Sequence, residues 1–268
     1  MTEPMAAVSG YAAIEGARLY YERAGEGFPV VLIHGSLWDA RMWDEQFATF
    51  AEHHDVVRYD IRGYGRSDVP TRPYSDLRDL LFLLGELDIG RCALVGCALG
   101  AQLAVDFAIA YPDLVEALVA VAPGLSGHTW KDPGLEMLVA AVDEAVRAGD
   151  LEGAMEIELA VWAPLRTDPA VDARIREIAM GNVRIFRIDD GLNEAPPPAG
   201  AHLSEITAAT LLVVGDGDIG EIDDIADVLV KGIPGAQKRV IADADHAVCM
   251  RRPEKFNQIV LDFLSFRR

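Results

Sequence analysis

The stretch Leu94-Val95-Gly96-Cys97-Ala98-Leu99-Gly100-Ala101 decides the fold. An apolar run leads through two glycines into a segment with helical character. This pattern predicts a sharp turn from a buried strand into a helix, where the two elements pass too closely for a β-carbon at either glycine. Such a turn projects the side chain of residue 98, and the helix N-terminus directs backbone N–H groups to the same place.

The residue at the tip of this turn is Ala98. In the nucleophile elbow, the motif G-x-S-x-G, serine occupies that position. A methyl group cannot act as a nucleophile. Cys97 offers a thiol, but it stands one residue after the first glycine instead of two, so we expect it to pack as a small buried side chain.

Short runs rich in Val, Ile, Leu and Tyr alternate with longer amphipathic segments along most of the chain. Strands are predicted at residues 18–24, 30–33, 56–59, 93–96, 117–121, 211–215 and 239–242. Helices are predicted at residues 39–51, 75–88, 99–111, 222–231 and 253–266. This alternation is typical of βαβ units, and it predicts an α/β fold with a mostly parallel, twisted sheet flanked by helices.

Strand signals disappear between residues 124 and 200, where the sequence becomes helical. This part ends in Ala195-Pro196-Pro197-Pro198-Ala199-Gly200, a stiff and irregular connector. We therefore predict a helical insertion, residues 124–201, over one end of the sheet. Residues 1–123 and 202–268 would form the core.

Polar residues follow three other predicted strands at the point where each strand ends. Ser36 follows the strand at residues 30–33, Asp216 and Asp218 follow the strand at residues 211–215, and His246 follows a late strand. The carboxyl ends of parallel strands meet at one edge of a sheet, so these residues are expected near position 98. The chain order of elbow, acid and histidine is that of a Ser-Asp-His triad on such a sheet.

Several motifs in the correct order resemble the α/β-hydrolase fold family, in the compact bacterial branch that includes enol-lactonases, esterases and C–C bond hydrolases. They are LIHGS at residues 32–36, YDIRGYGRSD at 59–68, LVGCALG at 94–100, VVGDGD at 213–218, and the His246 loop followed by RRPEKF. The resemblance covers residues 18–123 and 203–268 and is looser in the helical insertion.

The resemblance implies a role for each residue at the sheet edge. His246 would be the general base, Asp218 its orienting acid, and the N–H groups of Ser36 and Leu99 the oxyanion hole. The family's spacing favours Asp218 over Asp216 as the acid. The helical insertion would be a cap that shapes the substrate pocket.

Tryptophans near the elbow and in the insertion are candidates for substrate binding. Trp38 follows the first of these motifs, and Trp130 and Trp162 lie in the insertion. Core packing of the insertion helices explains the same residues equally well.

Ala98 departs from the family pattern, which has serine at this position. Either an engineered Ser-to-Ala change disables an enzyme so that it holds a bound ligand, or a natural protein dispenses with the nucleophile. Retention of the histidine, the acid and the glycines favours the disabling change. We therefore expect a hydrolase scaffold for an ester or lactone of a small to medium apolar molecule, which binds its substrate and barely turns it over.

Two other functions stay open. His246 and Asp218 could act directly on substrate or water, as in a lyase or a C–C bond hydrolase. Alternatively, the scaffold could bind a ligand without any chemistry.

The segment Gly215-Asp216-Gly217-Asp218-Ile219-Gly220 matches a dinucleotide-binding fingerprint letter by letter. Two carboxylates inside that turn would repel a pyrophosphate, and the fingerprint usually opens the first βαβ unit. The other histidines lack the spacing of a metal site. We therefore expect neither a cofactor nor a metal.

The charge of the chain limits its partners. The net charge is −19 and the pI is about 4.6, which opposes binding to nucleic acid or to anionic membranes. The start MTEPMAAVSG lacks a basic and apolar secretory signal, so a cytoplasmic location is expected. The expected partner is a small-molecule substrate, and apolar faces on the insertion leave a homodimer open.

Overall fold

The computed structural model describes residues 7–265, except for the side chain of Asp190, and contains one sheet of eight strands. The strands are β1 Val8–Ile14, β2 Ala17–Ala24, β3 Pro29–Ile33, β4 Asp55–Tyr59, β5 Cys92–Cys97, β6 Val115–Val121, β7 Ala209–Gly215 and β8 Gln237–Ile241. Their order across the sheet is β1-β2-β4-β3-β5-β6-β7-β8.

The sheet is parallel from β4 to β8, and only the pairings of β1 with β2 and of β2 with β4 are antiparallel. Every residue of β4 and β5 is buried. Strands that are buried on both faces require helices on each side of the sheet. The predicted α/β fold with a mostly parallel sheet is thus confirmed.

Nine α-helices lie within the described residues. They are α1 Asp44–Phe50, α2 Asp76–Glu86, α3 Leu99–Ala110, α4 Pro133–Arg147, α5 Leu151–Trp162, α6 Pro169–Met180, α7 Gly220–Gly232, α8 Val248–Arg251 and α9 Pro253–Leu264. None of them has both the length and the apolar character needed to cross a bilayer.

Three of the helices, α4, α5 and α6, lie between β6 and β7. Each begins at an aspartate whose carboxylate accepts a hydrogen bond from a backbone N–H of the first turn: Asp132, Asp150 and Asp168. An N-cap of this kind satisfies donors that have no partner within the helix. Helices α4 and α5 pack on each other around a small apolar cluster that is separate from the main core.

The chain differs from the sequence prediction at two places before β5. Strand β1 was not predicted, because only Ala12 and Ile14 of this edge strand are buried and its apolar alternation is weak. The predicted helix at residues 39–51 is instead a 3₁₀ turn, Ala40–Trp43, followed by α1. The carboxylate of Asp39 caps the start of that turn by accepting a hydrogen bond from the N–H of Arg41.

Candidate active site

The turn between β5 and α3 is as tight as the sequence predicts. A β-carbon on Gly96 would lie 2.1 Å from the carbonyl oxygen of Gly100, and one on Gly100 would lie 2.3 Å from that of Ile33. Neither distance leaves room for a methyl group. Both glycines are therefore required for strand and helix to pass at this point.

Ala98 holds an unusual backbone conformation at this turn. Its φ is 49° and its ψ is −110°, a region that non-glycine residues rarely occupy. The main chain secures it, because the N–H of Ala98 donates to the carbonyl oxygen of Val121 at 2.9 Å and its own carbonyl accepts from the N–H of Gln102 at 2.9 Å. The side chain of Ala98 lines a cavity.

His246 and Asp218 form a buried pair at the ends of β8 and β7. The Nδ1 atom of His246 lies 2.8 Å from Oδ2 of Asp218, and the two side chains are 8% and 4% exposed. A carboxylate can only accept, so Nδ1 carries the proton and leaves Nε2 free to act as a base. The N–H of Gly217 donates to the carbonyl oxygen of Ala244 at 2.8 Å, which joins the two loops.

The two candidate acids, Asp218 and Asp216, differ in their surroundings. Asp216 is exposed on the turn, whereas Asp218 contacts the histidine. The turn that resembles a dinucleotide fingerprint thus directs a carboxylate at His246.

The candidate oxyanion donors also lie at this edge of the sheet. Ser36 and Leu99 both line the cavity beside Ala98. Leu99 is the first residue of α3, so its N–H has no acceptor within the helix. The turn that carries Ser36 is held by His34, whose Nδ1 lies 2.9 Å from the Gly35 oxygen and whose Nε2 accepts from the N–H of Ile61 at 2.9 Å.

Cys97 lies beneath the elbow and does not line the cavity. Its Sγ lies 3.9 Å from the carbonyl oxygen of His246, and its side chain is fully buried. Burial raises the pKa of this thiol well above its usual value. Since the thiolate is the nucleophilic form, Cys97 does not supply a nucleophile to this cavity.

A cavity of about 840 Å³ lies between the elbow and the helices α4 and α5. The three candidate tryptophans Trp38, Trp130 and Trp162 all line it, together with His246. The Trp162 ring lies 4.6 Å from the His246 ring, centroid to centroid, and the Trp38 ring lies 6.4 Å from it. All the candidate residues except Asp218 thus line one cavity. Asp218 lies behind His246 and is hydrogen-bonded to it.

Glu158 also lines this cavity and was not among the predicted residues. It is one turn before Trp162 on α5, and Trp162 Nε1–H donates to its Oε2 at 2.9 Å. Burial raises the pKa of Glu158, and the hydrogen bond from the indole opposes that rise. The only signal in the sequence was the four-residue spacing of Glu158 and Trp162, which is common in helices that have no site.

The family model of the alpha/beta hydrolase family matches residues 30–259 of this chain. The chain is 29% identical to the 2-hydroxy-6-oxononadienedioate/2-hydroxy-6-oxononatrienedioate hydrolase of Escherichia coli (strain K12), over 97% of this chain and 96% of that protein.

Two solved structures are similar over almost the whole chain. The enol-lactonase from Burkholderia xenovorans LB400 is 25% identical with a TM-score of 0.80, covering 96% of this chain and 100% of that one. A thermophilic esterase from Thermogutta terrifontis is 25% identical with a TM-score of 0.82, covering 97% and 98%. The chain belongs to the alpha/beta hydrolase family.

Proposed function

We propose that the protein is a hydrolase scaffold for an ester or lactone of a small to medium, largely apolar molecule, and that Ala98 leaves it able to bind this substrate but barely to convert it. The observation that carries this proposal is the intact Asp218–His246 pair, joined at 2.8 Å, at the same cavity as the elbow residue Ala98. We further propose that Ala98 stems from a single engineered Ser-to-Ala change, because the Asp218–His246 pair and both elbow glycines are retained.

The cavity supports the proposed class of substrate. A volume of about 840 Å³ lies within the range of pockets for small molecules, and its walls carry many aliphatic and aromatic side chains. The enol-lactonase and esterase named above, at 25% identity, act on the same class of bond that we propose here. The helical insertion, residues 124–201, acts in this proposal as the cap over the elbow.

The proposed chemistry assigns one step to each residue. In the Ala98→Ser variant, Nε2 of His246 takes the hydroxyl proton as the oxygen attacks the substrate carbonyl, while Asp218 holds the imidazole in the correct tautomer. The N–H groups of Ser36 and Leu99 stabilise the oxyanion that forms. The protonated His246 then gives its proton to the leaving group, and it later activates the water that hydrolyses the acyl-enzyme.

The unsubstituted chain, with Ala98, lacks the first of these steps. Loss of the nucleophile in such a triad lowers kcat by about 10⁶-fold and leaves binding in place. We therefore expect binding without appreciable turnover.

The test is hydrolysis of a panel of short-chain p-nitrophenyl esters and lactones by the unsubstituted chain and by Ala98→Ser, with thermal melts as a control for folding. The matched control is Cys97→Ser, which introduces the same hydroxyl one residue earlier, where its side chain is buried beneath the elbow. We expect activity only from Ala98→Ser, at least about 10³-fold above the unsubstituted chain. A folded Ala98→Ser variant that binds the panel and hydrolyses none of it would contradict the proposal.

A second candidate uses His246 and Asp218 without a covalent intermediate, as in a C–C bond hydrolase or a lyase. The observation that favours it is that this acid–base pair is complete without any group at position 98. It predicts pH-dependent turnover by the unsubstituted chain that His246→Gln abolishes. A ligand-binding protein without chemistry predicts instead that Ala98→Ser changes neither affinity nor turnover.

A further inference from the structure

The Asp and Glu side chains on the cavity wall are not balanced by basic ones. Four carboxylates line the cavity, and no lysine or arginine of residues 7–265 does so. The four are Asp132, Glu136, Asp143 and Glu158. Lys131 and Arg187, each next in sequence to a lining residue, are not part of the wall. A ligand inside this cavity therefore meets negative charge and no fixed positive charge.

Glu158 differs from the other three carboxylates in its burial. Asp132, Glu136 and Asp143 are exposed, whereas Glu158 is only partly exposed. A carboxylate shielded from water interacts more strongly with a charge on the ligand than an exposed one does. Glu158 is thus the carboxylate with the largest influence on what the cavity accepts.

The orientation of Glu158 is fixed by the indole that also contacts the histidine. Trp162 Nε1–H donates to Oε2 of Glu158 at 2.9 Å, and the Trp162 ring packs against the His246 ring at 4.6 Å. Oε1 of Glu158 has no hydrogen-bond donor among the described residues. One carboxylate oxygen is thus available to a ligand on the wall that also contains His246.

We propose that the ligand of this cavity carries a cationic nitrogen that pairs with Glu158, and that the cavity discriminates against carboxylate-bearing ligands. This inference rests on the proposed function, since it takes the cavity beside Ala98 as the substrate site. It also separates this chain from the Escherichia coli relative at 29% identity, whose named substrates are dioates.

Two physical terms support the preference for a cation. Burial raises the pKa of Glu158, so ionising this carboxyl without a partner is unfavourable, and a cation on the ligand offsets that penalty. The net charge of −19 acts in the same direction at longer range, because it attracts cations and repels anions before they reach the cavity. A dianion would be repelled by Glu158 inside the cavity and by the net negative charge of the protein outside it.

The experiment measures binding, which the unsubstituted chain permits because we expect it barely to hydrolyse an ester. The probes are three benzyl esters of equal chain length: those of aminohexanoic acid and heptanoic acid, and the half ester of heptanedioic acid. Their ends are cationic, neutral and anionic at pH 7. Isothermal titration calorimetry should give the tightest binding for the amino ester, about tenfold tighter than for the neutral ester, and the weakest for the half ester.

Glu158→Gln tests the residue itself. Glutamine keeps an oxygen that can accept from Trp162 and removes only the charge, so thermal melts should stay close to those of the unsubstituted chain. We expect this variant to lose about tenfold in affinity for the amino ester and less than twofold for the neutral ester. Glu152→Gln is the matched control, because Glu152 is an exposed glutamate of the same helix and does not line the cavity.

Three results would overturn the inference, and they separate it from the proposed function. If the neutral ester binds and Ala98→Ser hydrolyses it, but the amino ester binds no tighter, the inference fails and the proposed function stands. The inference also fails if Glu158→Gln and Glu152→Gln behave alike. If none of the three esters binds, both proposals fail together.

Discussion

Asp245 and Arg251 form a fully buried ion pair at 3.0 Å, with Asp245 directly preceding His246 in the chain. The same aspartate accepts from the N–H of Leu165 at 3.1 Å, and Arg251 donates to the carbonyl oxygen of Leu165 at 2.7 Å. Arg251 also contacts Asp172 of α6. The loop that carries the histidine is therefore tied to the segment between α5 and α6 by one shared pair of charges.

Asp245→Asn should destabilise the fold by about 3 kcal/mol, because it leaves the Arg251 guanidinium buried with only part of its charge compensated. The measurement is the free energy of unfolding in urea at pH 7. Asp243→Asn is the control, since Asp243 forms an ion pair with Arg252 at 2.9 Å but its side chain is 74% exposed. That exposed pair should contribute less than about 1 kcal/mol. Equal effects of the two variants would contradict the structural role of the buried pair.

The elbow glycines give a second prediction. In Gly96→Ala the new methyl would meet the Gly100 carbonyl oxygen at 2.1 Å, so strand and helix must separate. We expect a loss of more than about 3 kcal/mol in the free energy of unfolding, or failure to fold. Gly85→Ala on α2 is the contrasting substitution, because no atom other than those of its chain neighbours and of the backbone of its own helix lies within 4 Å of the new β-carbon. It should stabilise the helix by about 0.5 to 1 kcal/mol. If the free energy of unfolding changed in the same direction in both variants, the elbow geometry would be contradicted.

The sequence was informative wherever a short motif dictates local geometry. Gly96 and Gly100 predicted the tight turn because only glycine permits that approach of strand and helix. The register argument for Cys97 is also confirmed, since its thiol is buried beneath the elbow and away from the cavity. Asp218 was selected over Asp216 by spacing, and the structure places Asp218 against the histidine.

Contacts between distant segments could not be predicted in the same way. Glu158 lines the cavity because of how α5 lies over the sheet, and no local pattern encodes that placement. Asp245 and Arg251 lie in a loop and a short helix whose sequence is ordinary for a surface, yet both are fully buried by the segment between α5 and α6. Such residues depend on tertiary packing, which a single sequence does not reveal.

The acid of the proposed triad can be tested in the Ala98→Ser background. Adding Asp218→Asn should lower kcat by about 10⁴-fold, because His246 loses the acceptor that fixes its tautomer. Adding Asp216→Asn should leave kcat within about twofold, because Asp216 is exposed and does not contact His246. Ester hydrolysis at pH 7 measures both, and binding of a neutral ester should be unchanged. A larger loss from Asp216→Asn than from Asp218→Asn would reverse the assignment.

A buried carboxyl lies where α2 meets the end of the helical insertion. It should make the free energy of unfolding depend on pH. Asn193 Nδ2–H donates to Oδ2 of Asp76 at 2.8 Å, while Oδ1 of Asp76 has no hydrogen-bond partner among the described residues. Burial, followed by the negative charge of Asp79, raises the pKa of Asp76 to about 7 from an ordinary value of 3.8. The folded protein thus holds a proton on Asp76 that the unfolded chain releases above pH 4.

The sign of the effect follows from this raised pKa. The stabilising contribution of protonated Asp76 is complete below about pH 4 and is lost as the pH rises to about 7, a total on the order of 4 kcal/mol. Asp76→Asn cannot titrate, so its stability relative to the unsubstituted chain should increase steadily from pH 4 to pH 7 and then level off. Urea unfolding at half-unit steps between pH 4 and pH 8 measures this difference, with the exposed Asp113→Asn as the control that should show no such trend. A difference between Asp76→Asn and the unsubstituted chain that stays constant over this range would mean that Asp76 is ionised in the folded protein throughout.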